Sequence, residues 1–422
     1  MNRMMIGNFM HQLQGTKYPS TRVREAHPAI ANAIESIFDE MVVIRRDLRQ
    51  HPELAFHEKR TASIVAACLR EWGYTVTERV GETGVVGILN GKEPGPVIGL
   101  RADMDALPLS DEIDETYRSV NANVAHACGH DIHTANLLGV AKVYSMIGLD
   151  RGTLKVIFQP AEETGAGARA MIDANVLRNP TIDLLAGLHV FPGLAVGDFS
   201  VTETAISCAA VDMFELTVTG VGGHAAHPHL AVDAVMIMAQ VLVALQQIVS
   251  RQIDPLDSVV LSVGKIAGGT KGTILPNSVT VNGTVRTLLP ATRDEMPQRI
   301  EQIASNMAIA LGGSARLIYE RTTPSVQNDE TAKGLLRDVV ATLFGDDALK
   351  YVKPSMGGED FAYFSQIVPS VLFRLGTKSG ESTSFGIHNS RFNADEEAMR
   401  YGMTVLSHLV DKYLHKKDGT IA

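Results

Sequence analysis

At 422 residues the chain is too long for one ordinary hydrophobic core, so two domains are expected. Its 45% hydrophobic and 20% charged content, with a mean hydropathy of +0.06, excludes a disordered or fibrous chain. The 38 Lys and Arg against 47 Asp and Glu leave a formal charge of -9, which repels phosphate backbones and argues against nucleic acid as a partner.

The stretch from Met1 to Arg24 mixes charged and polar residues without the continuous apolar core of a signal peptide, and is expected to be a loosely docked extension. Over residues 31–49, Ile34, Ile37, Phe38, Met41, Val42, Ile44 and Leu48 recur at helical spacing and predict an amphipathic helix. A second helix is predicted over 57–72, stopping at Gly73. Apolar runs at 85–89, 97–100, 154–158 and 184–190 read as strands, separated by helical segments near 132–146 and 167–174. Strands alternating with helices imply an α/β layer with a mostly parallel sheet.

The pattern changes near Cys208. Residues 212–219 and 258–263 read as strands around a long helix, 231–250, and 279–287 precedes another helix near 294–311. That β-α-β, β-α-β order makes a small α+β sandwich of the ferredoxin-like kind. A helix near 331–344, a strand at 371–374 and a last helix near 395–414 return to the first texture. The expectation is an inserted domain, 207–322, within a discontinuous catalytic domain, 1–206 and 323–422. No stretch approaches the roughly 18 uninterrupted apolar residues of a membrane span. Cys68, Cys128 and Cys208 are odd in number and without framework spacing, which fits a reducing compartment. A cytoplasmic protein with no membrane partner is expected.

In parallel α/β sheets, ligands collect outside the carboxyl ends of the strands, and the candidate chemistry falls there. Asp103 and Asp105 follow the 97–100 strand, Glu162 and Glu163 follow the 154–158 strand, and His189 sits in the last turn of the 184–190 strand. Cys128 and His130 precede the helix near 132–146, and Gly129 between them permits a tight turn. A thiolate, an imidazole and a carboxylate around a divalent metal are equipment for activating water. His126 and His133 face other ways and are expected to pack or to orient a ligand, and Asp105 to buttress a metal-binding histidine. Neighbouring side chains diverge, so one of Glu162 and Glu163 can bind metal while the other faces the substrate. A carboxylate held near another has its pKa raised, which suits a general base. Glu163 is assigned to metal and Glu162 to proton transfer, an order that spacing alone does not set.

Gly220-Val221-Gly222-Gly223-His224-Ala225 fits the G-x-G-x-x-A dinucleotide pattern after a strand. Pro228 interrupts the helix that must follow, and no acid stands about twenty residues on. His224 is read instead as a site residue on a glycine-loosened loop.

Six segments together resemble the metal-dependent aminoacylase and carboxypeptidase family. They are Arg46-Asp47-Leu48-Arg49-Gln50-His51-Pro52-Glu53-Leu54, Leu100-Arg101-Ala102-Asp103-Met104-Asp105-Ala106-Leu107-Pro108, His126-Ala127-Cys128-Gly129-His130-Asp131-Ile132-His133, Gln159-Pro160-Ala161-Glu162-Glu163, Gly222-Gly223-His224-Ala225-Ala226 and Gly357-Gly358-Glu359-Asp360-Phe361. The branch resembled is that of hippurate hydrolases and the amidohydrolases of indoleacetyl-amino acid conjugates. The resemblance implies a phosphorylase/hydrolase-like catalytic domain with an inserted lid/dimerisation domain. It implies two divalent metal ions per subunit on Cys128, His130, Glu163, His189 and His388, the last within Gly386-Ile387-His388-Asn389-Ser390. Glu162 matches the general base and Asp105 the supporting aspartate. Asp103 replaces the family's usual first histidine, which leaves metal contact by Asp103 or Asp105 open. His224 corresponds to a lid histidine that reaches the partner subunit's site, and Asn277 and Arg286 to lid residues that recognise the substrate carboxylate.

The implied reaction splits a small-molecule N-acyl-amino acid into a carboxylic acid and an amino acid, in a homodimer formed through the lid. Thiolate and imidazole favour Zn²⁺, while the carboxylates and the family allow Mn²⁺, Co²⁺ or Ni²⁺. The same site would serve an N-acetyl-diaminopimelate deacylase, a dipeptidase or a carboxypeptidase. A binding protein with a structural metal is the rival from another class, and in it Glu162 would be dispensable.

Overall fold

The computed structural model describes residues 23–24 and 26–415, so the expected N-terminal extension lies outside the described residues except for Val23 and Arg24. The chain divides into two units. One runs up to Ala205 and resumes over Gln327–Lys353 and from Tyr363 on; the other is Ile206–Val326 with Pro354–Ala362.

In chain order the first unit contains α1 (Pro28–Gln50), α2 (Lys59–Glu71), β1 (Thr75–Val80), β2 (Gly84–Asn90), β3 (Glu93–Asp103), α3 (His130–Ile147), β4 (Arg151–Gln159), α4 (Gly167–Asp173), β5 (Leu184–Ala195) and β6 (Phe199–Thr202). The second contributes β7 (Ala210–Thr219), α5 (Ala234–Gln247), β8 (Val259–Gly268), β9 (Ser278–Thr287), α6 (Pro290–Ala310) and β10 (Ser314–Arg321). The chain then adds α7 (Glu330–Phe344), β11 (Leu349–Val352), β12 (Ser370–Lys378) and α8 (Glu397–Leu414) to the first.

The first unit holds an eight-stranded sheet in the order β1-β2-β4-β3-β5-β12-β6-β11. Its middle strands β4, β3, β5 and β12 are parallel. Strands buried on both faces read as near-continuous apolar runs, and β3 from Val97 and β4 from Leu154 are buried at every residue to their ends, Arg101 and Lys155 included. The β1–β2, β2–β4 and β12–β6 pairings are antiparallel. β1, Thr-Val-Thr-Glu-Arg-Val, is mostly exposed, so it carries no apolar run for a sequence reading to find. α3 is buried on nearly all sides, and α1 lays Ile30, Ile34, Ile37, Met41 and Leu48 into the same core. β5 runs past residue 190 because its pairing with β12 continues, Phe191 opposite Gly376 and Ala195 opposite Lys378. His189 is therefore an interior strand residue, opposite Arg374.

The second unit is an antiparallel sheet in the order β8-β9-β7-β10. Burial alternates along β7 and β9, and the buried face takes Ile237, Met238, Val241 and Leu245 of α5 and Ile300 and Ala304 of α6. One covered face and one open face explain why these strands alternate where those of the first unit do not. α5 starts at Ala234, later than periodicity suggests, because Asp233 Oδ1 accepts from Val235 N at 2.9 Å and Met236 N at 3.2 Å and caps the helix there. Pro354–Ala362 stays with this unit through Ala209 N donating to Ser355 O at 2.9 Å.

Candidate metal centre

The carboxyl ends of β3 and β4 place the acidic donors. β3 ends at Asp103, with Asp105 just beyond. β4 leads through Ala161, at φ 53°, into the turn that carries Glu162 and Glu163. Gly129 begins α3 at φ 89°, and a Cβ there would lie 2.3 Å from Val190 Cγ2. Only glycine meets both demands, and so Cys128 and His130 turn toward one place. Gly129→Ala is expected to cost about 1–3 kcal/mol from backbone strain alone. Urea unfolding checks this, and an unchanged midpoint would refute it.

Cys128 Sγ lies 3.5 Å from His189 Nε2. Glu163 Oε1 lies 3.4 Å from His388 Nε2 and 3.9 Å from His130 Nε2. Cys128, His130 and His189 bring their donor atoms within 4.8 Å of one another, as do Cys128, Glu163 and His388, and His130, Glu162 and Glu163. All five expected ligands and Glu162 thus meet in the first unit. His130 Nε2 and Glu163 Oε1 are buried with no hydrogen-bond partner among the described residues. A buried polar atom without a partner is costly, and a cation between these two atoms would satisfy both.

The electrostatics agree with a cation site. Burial pushes the Cys128 thiol up, but His189, with His130 and His388 close by, outweighs it and brings it down to about 6. Burial likewise raises the Glu163 carboxyl, and His388 and His130 hold it below its ordinary value. The Cys128 thiolate and the Glu163 carboxylate beside it favour the protonated ring and raise His388 to about 10. The anionic cluster draws protons onto its imidazoles, and a divalent ion meets the same demand by replacing them. His130 Nδ1 lies 2.8 Å from Asp105 O and His189 Nδ1 lies 2.8 Å from Val190 O. Each ring donates there, leaving Nε2 as the lone-pair nitrogen for metal.

Asp105 holds the peptides of the acidic pair, Oδ1 accepting from Glu162 N and Oδ2 from Glu163 N, both at 3.0 Å. Asp103 is occupied differently. It accepts from Arg101 Nη1 at 2.7 Å and from His133 Nδ1 at 2.5 Å, and His133 Nε2 in turn accepts from Val190 N at 2.9 Å. Burial disfavours the Asp103 charge, but His130, Arg101 and His133 hold the carboxyl well below its ordinary range. His126 is buried, neither ring nitrogen is hydrogen-bonded among the described residues, and burial lowers it to about 4. Sequence reasoning missed Arg101, although Arg101 and Asp103 stand two apart on one strand and so share a face. It also missed Glu58, whose Oε1 accepts from Ala161 N at 2.9 Å and steadies the entry to the acidic pair.

His224, Asn277 and Arg286 belong to the second unit. His224 pairs with Ile274 in a two-residue strand, is exposed, and accepts from Ala226 N at Nδ1, 3.0 Å. Asn277 Oδ1 accepts from Gly222 N at 2.8 Å. Arg286 lies on β9, where burial lowers its pKa against the opposing pull of Asp212. The glycine-rich run leads into strand and a short turn, Pro228–Leu230, before α5, so it presents no helix start to a dinucleotide.

A family model for peptidase family M20/M25/M40 matches residues 99–412. The chain belongs to this family. It is 36% identical over 401 residues to an N-acetyl-L-cysteine deacetylase of Bacillus subtilis (strain 168), covering 94% of this chain and 92% of that one. It is 36% identical over 386 residues to IAA-amino acid hydrolase ILR1-like 5 of Arabidopsis thaliana, covering 90% and 88%. Among solved structures, a dinuclear metal binding peptidase of family M20 from Bacillus subtilis superposes with a TM-score of 0.80 at 31% identity, covering 91% of this chain and all of the other. This M20 chain is a metal-dependent hydrolase of the aminoacylase and amidohydrolase branch.

Proposed function

We propose that this M20 hydrolase cleaves the amide bond of N-acyl-amino acids, of the hippurate or indoleacetyl-amino acid type, to a carboxylic acid and a free amino acid. The observation that carries the reading is the meeting of Cys128, His130, Glu163, His189 and His388 beside Glu162, with His130 Nε2 and Glu163 Oε1 buried and unpartnered among the described residues. These five residues would hold two divalent ions, Mn²⁺ or Zn²⁺ with Co²⁺ or Ni²⁺ as alternatives, which when bound acidify water and polarise an amide oxygen.

Glu162 takes the proton of the attacking water and returns it to the departing amine. Asp105 keeps the peptide between Glu162 and Glu163 from rotating, so the two carboxylates keep separate tasks. We assign His224 to the oxyanion and Asn277 and Arg286 to the substrate carboxylate, with the second unit acting as lid and dimer contact. The fork of Arg286 suits a carboxylate, and exposed Val235, Met236 and Val243 on α5 support a self-association surface. The three free cysteines support a cytoplasmic setting.

His224→Ala is expected to lower kcat about 10²–10³-fold, the usual cost of losing one oxyanion donor. Because His224 is exposed, thermal stability should stay within error, and a variant with wild-type kcat would remove His224 from the reaction. The reading as a whole is tested by a substrate panel: hippurate, indoleacetyl-alanine, N-acetylcysteine and simple dipeptides, each assayed with chelator and with added Mn²⁺ or Zn²⁺. Metal-dependent release of the amino acid from the acyl conjugates is expected. Turnover of the dipeptides alone would turn the assignment to a peptidase.

A further inference from the structure

The Arg46-Asp47-Leu48-Arg49 segment of α1 carries no ligand, yet Arg49 is fully buried. Its Nη1 donates to His126 O at 3.2 Å, and its Nη2 donates to Phe392 O at 2.7 Å and to Asp111 Oδ1 at 3.1 Å. Asp111, with Asp131 at 3.9 Å, gives the guanidinium its counter-charge, so the two main-chain carbonyls are what its geometry adds. His126 lies just before Cys128, and Phe392 lies just after His388.

Both ligands sit on segments without helix or strand, between β3 and α3 and between β12 and α8. His388 has φ 63° and a half-exposed side chain, so packing does little to hold it. Two further contacts join the same segments. His388 N donates to Ala127 O at 2.8 Å, and the Phe392 ring comes within 3.4 Å of where a Gly129 Cβ would stand. Arg49 reaches across this junction from a helix fixed in the core.

We propose that Arg49 is a positioning residue of the metal centre, its single guanidinium tying the Cys128 segment to the His388 segment and setting the separation of those two ligands. The proposal rests on the reading that Cys128 and His388 bind metal. A planar fork offers several donors at fixed angles and can meet two carbonyls together, whereas an ammonium is a point donor on a flexible stem. Without the fork, bound metal must order the two segments itself, and affinity falls by that ordering cost.

The test titrates metal-stripped full-length protein, Arg49→Met and Arg49→Lys with Co²⁺, following the thiolate-to-cobalt absorption that reports on Cys128. Lys155→Met is the matched control, because buried Lys155 also donates to main-chain carbonyls, Arg178 O at 2.8 Å and Pro180 O at 3.2 Å, on a segment that carries no ligand. Arg49→Met is expected to bind Co²⁺ about 10–100-fold more weakly with an altered thiolate band, and Arg49→Lys to fall between it and wild type. Lys155→Met should lose stability and keep wild-type affinity. Wild-type affinity and absorption in Arg49→Met, or in Arg49→Lys where the methionine variant does not fold, overturns the proposal. An equal loss of affinity in Lys155→Met overturns it as well. Wild-type protein that takes up no Co²⁺ overturns the two-metal reading beneath it.

Discussion

Glu162→Gln is expected to lower kcat by about 10²–10⁴-fold, the range that a positioned general base supplies, while metal content and fold stay as in the wild type. Glutamine keeps the size of the side chain, and the Glu162 amide would still donate to Asp105 Oδ1, so the turn after β4 has no reason to move. What disappears is the carboxylate that can accept and return a proton. Glu163→Gln should behave differently. Its Oε1 is the buried, unpartnered atom beside His130 and His388, so that substitution should release metal before it affects anything else. Measuring kcat, KM and metal per subunit for both variants separates the roles. A Glu162→Gln enzyme within tenfold of wild type would return the site to a structural one.

Arg45→Met is expected to cost about 3–5 kcal/mol, the penalty for removing one partner of a buried ion pair. Arg45 and Asp131 are both fully buried, with Nε to Oδ2 at 2.8 Å. Arg45 also donates to Glu396 Oε1 and Asn393 Oδ1, both at 3.1 Å, and lies over the Tyr117 ring. Burial works to raise the Asp131 carboxyl, and Arg45 and Arg49 more than offset it, so Asp131 is charged in the fold. With Arg45 gone, the guanidinium left to that charge among the described residues is Arg49, at 3.9 Å. Trp72, the single tryptophan, closes α2 of the same unit and can follow its urea unfolding. Adding Asp131→Asn to Arg45→Met should restore part of the loss, because it removes the stranded charge. A single-variant loss under about 1 kcal/mol, typical of an exposed pair, would contradict this account.

Much of the fold was legible because its signals are local. The helices α1, α2, α3, α7 and α8 and the strands β2 to β5 lie within a few residues of their expected ranges, with β5 running furthest past its expected end. Each either repeats apolar residues at a helical period or is an apolar run between polar turns. β1 escaped because it is mostly exposed and carries no apolar run, and β6 and β11 because they are short and acquire their pairing from neighbours distant in sequence. The antiparallel outer pairings escaped because strand direction is set by the connection and not by composition.

The sequence by itself determined the donor types and the place of the acids after β3 and β4, since residue identity and strand position are both written locally, whereas His189 falls inside β5 because that strand runs on to Ala195. The resemblance named His130, His189 and His388 among the 14 histidines, but only the tertiary structure brings them to Cys128 and decides that His133 bonds to Asp103 while His189 faces the thiol. It alone decided that Arg45 reaches Asp131 and that Arg49 reaches Phe392. Those partners lie far apart along the chain and follow no period. Their pairing is fixed only when the sheet and α1 close around one core and each buried charge or polar group must find its partner there.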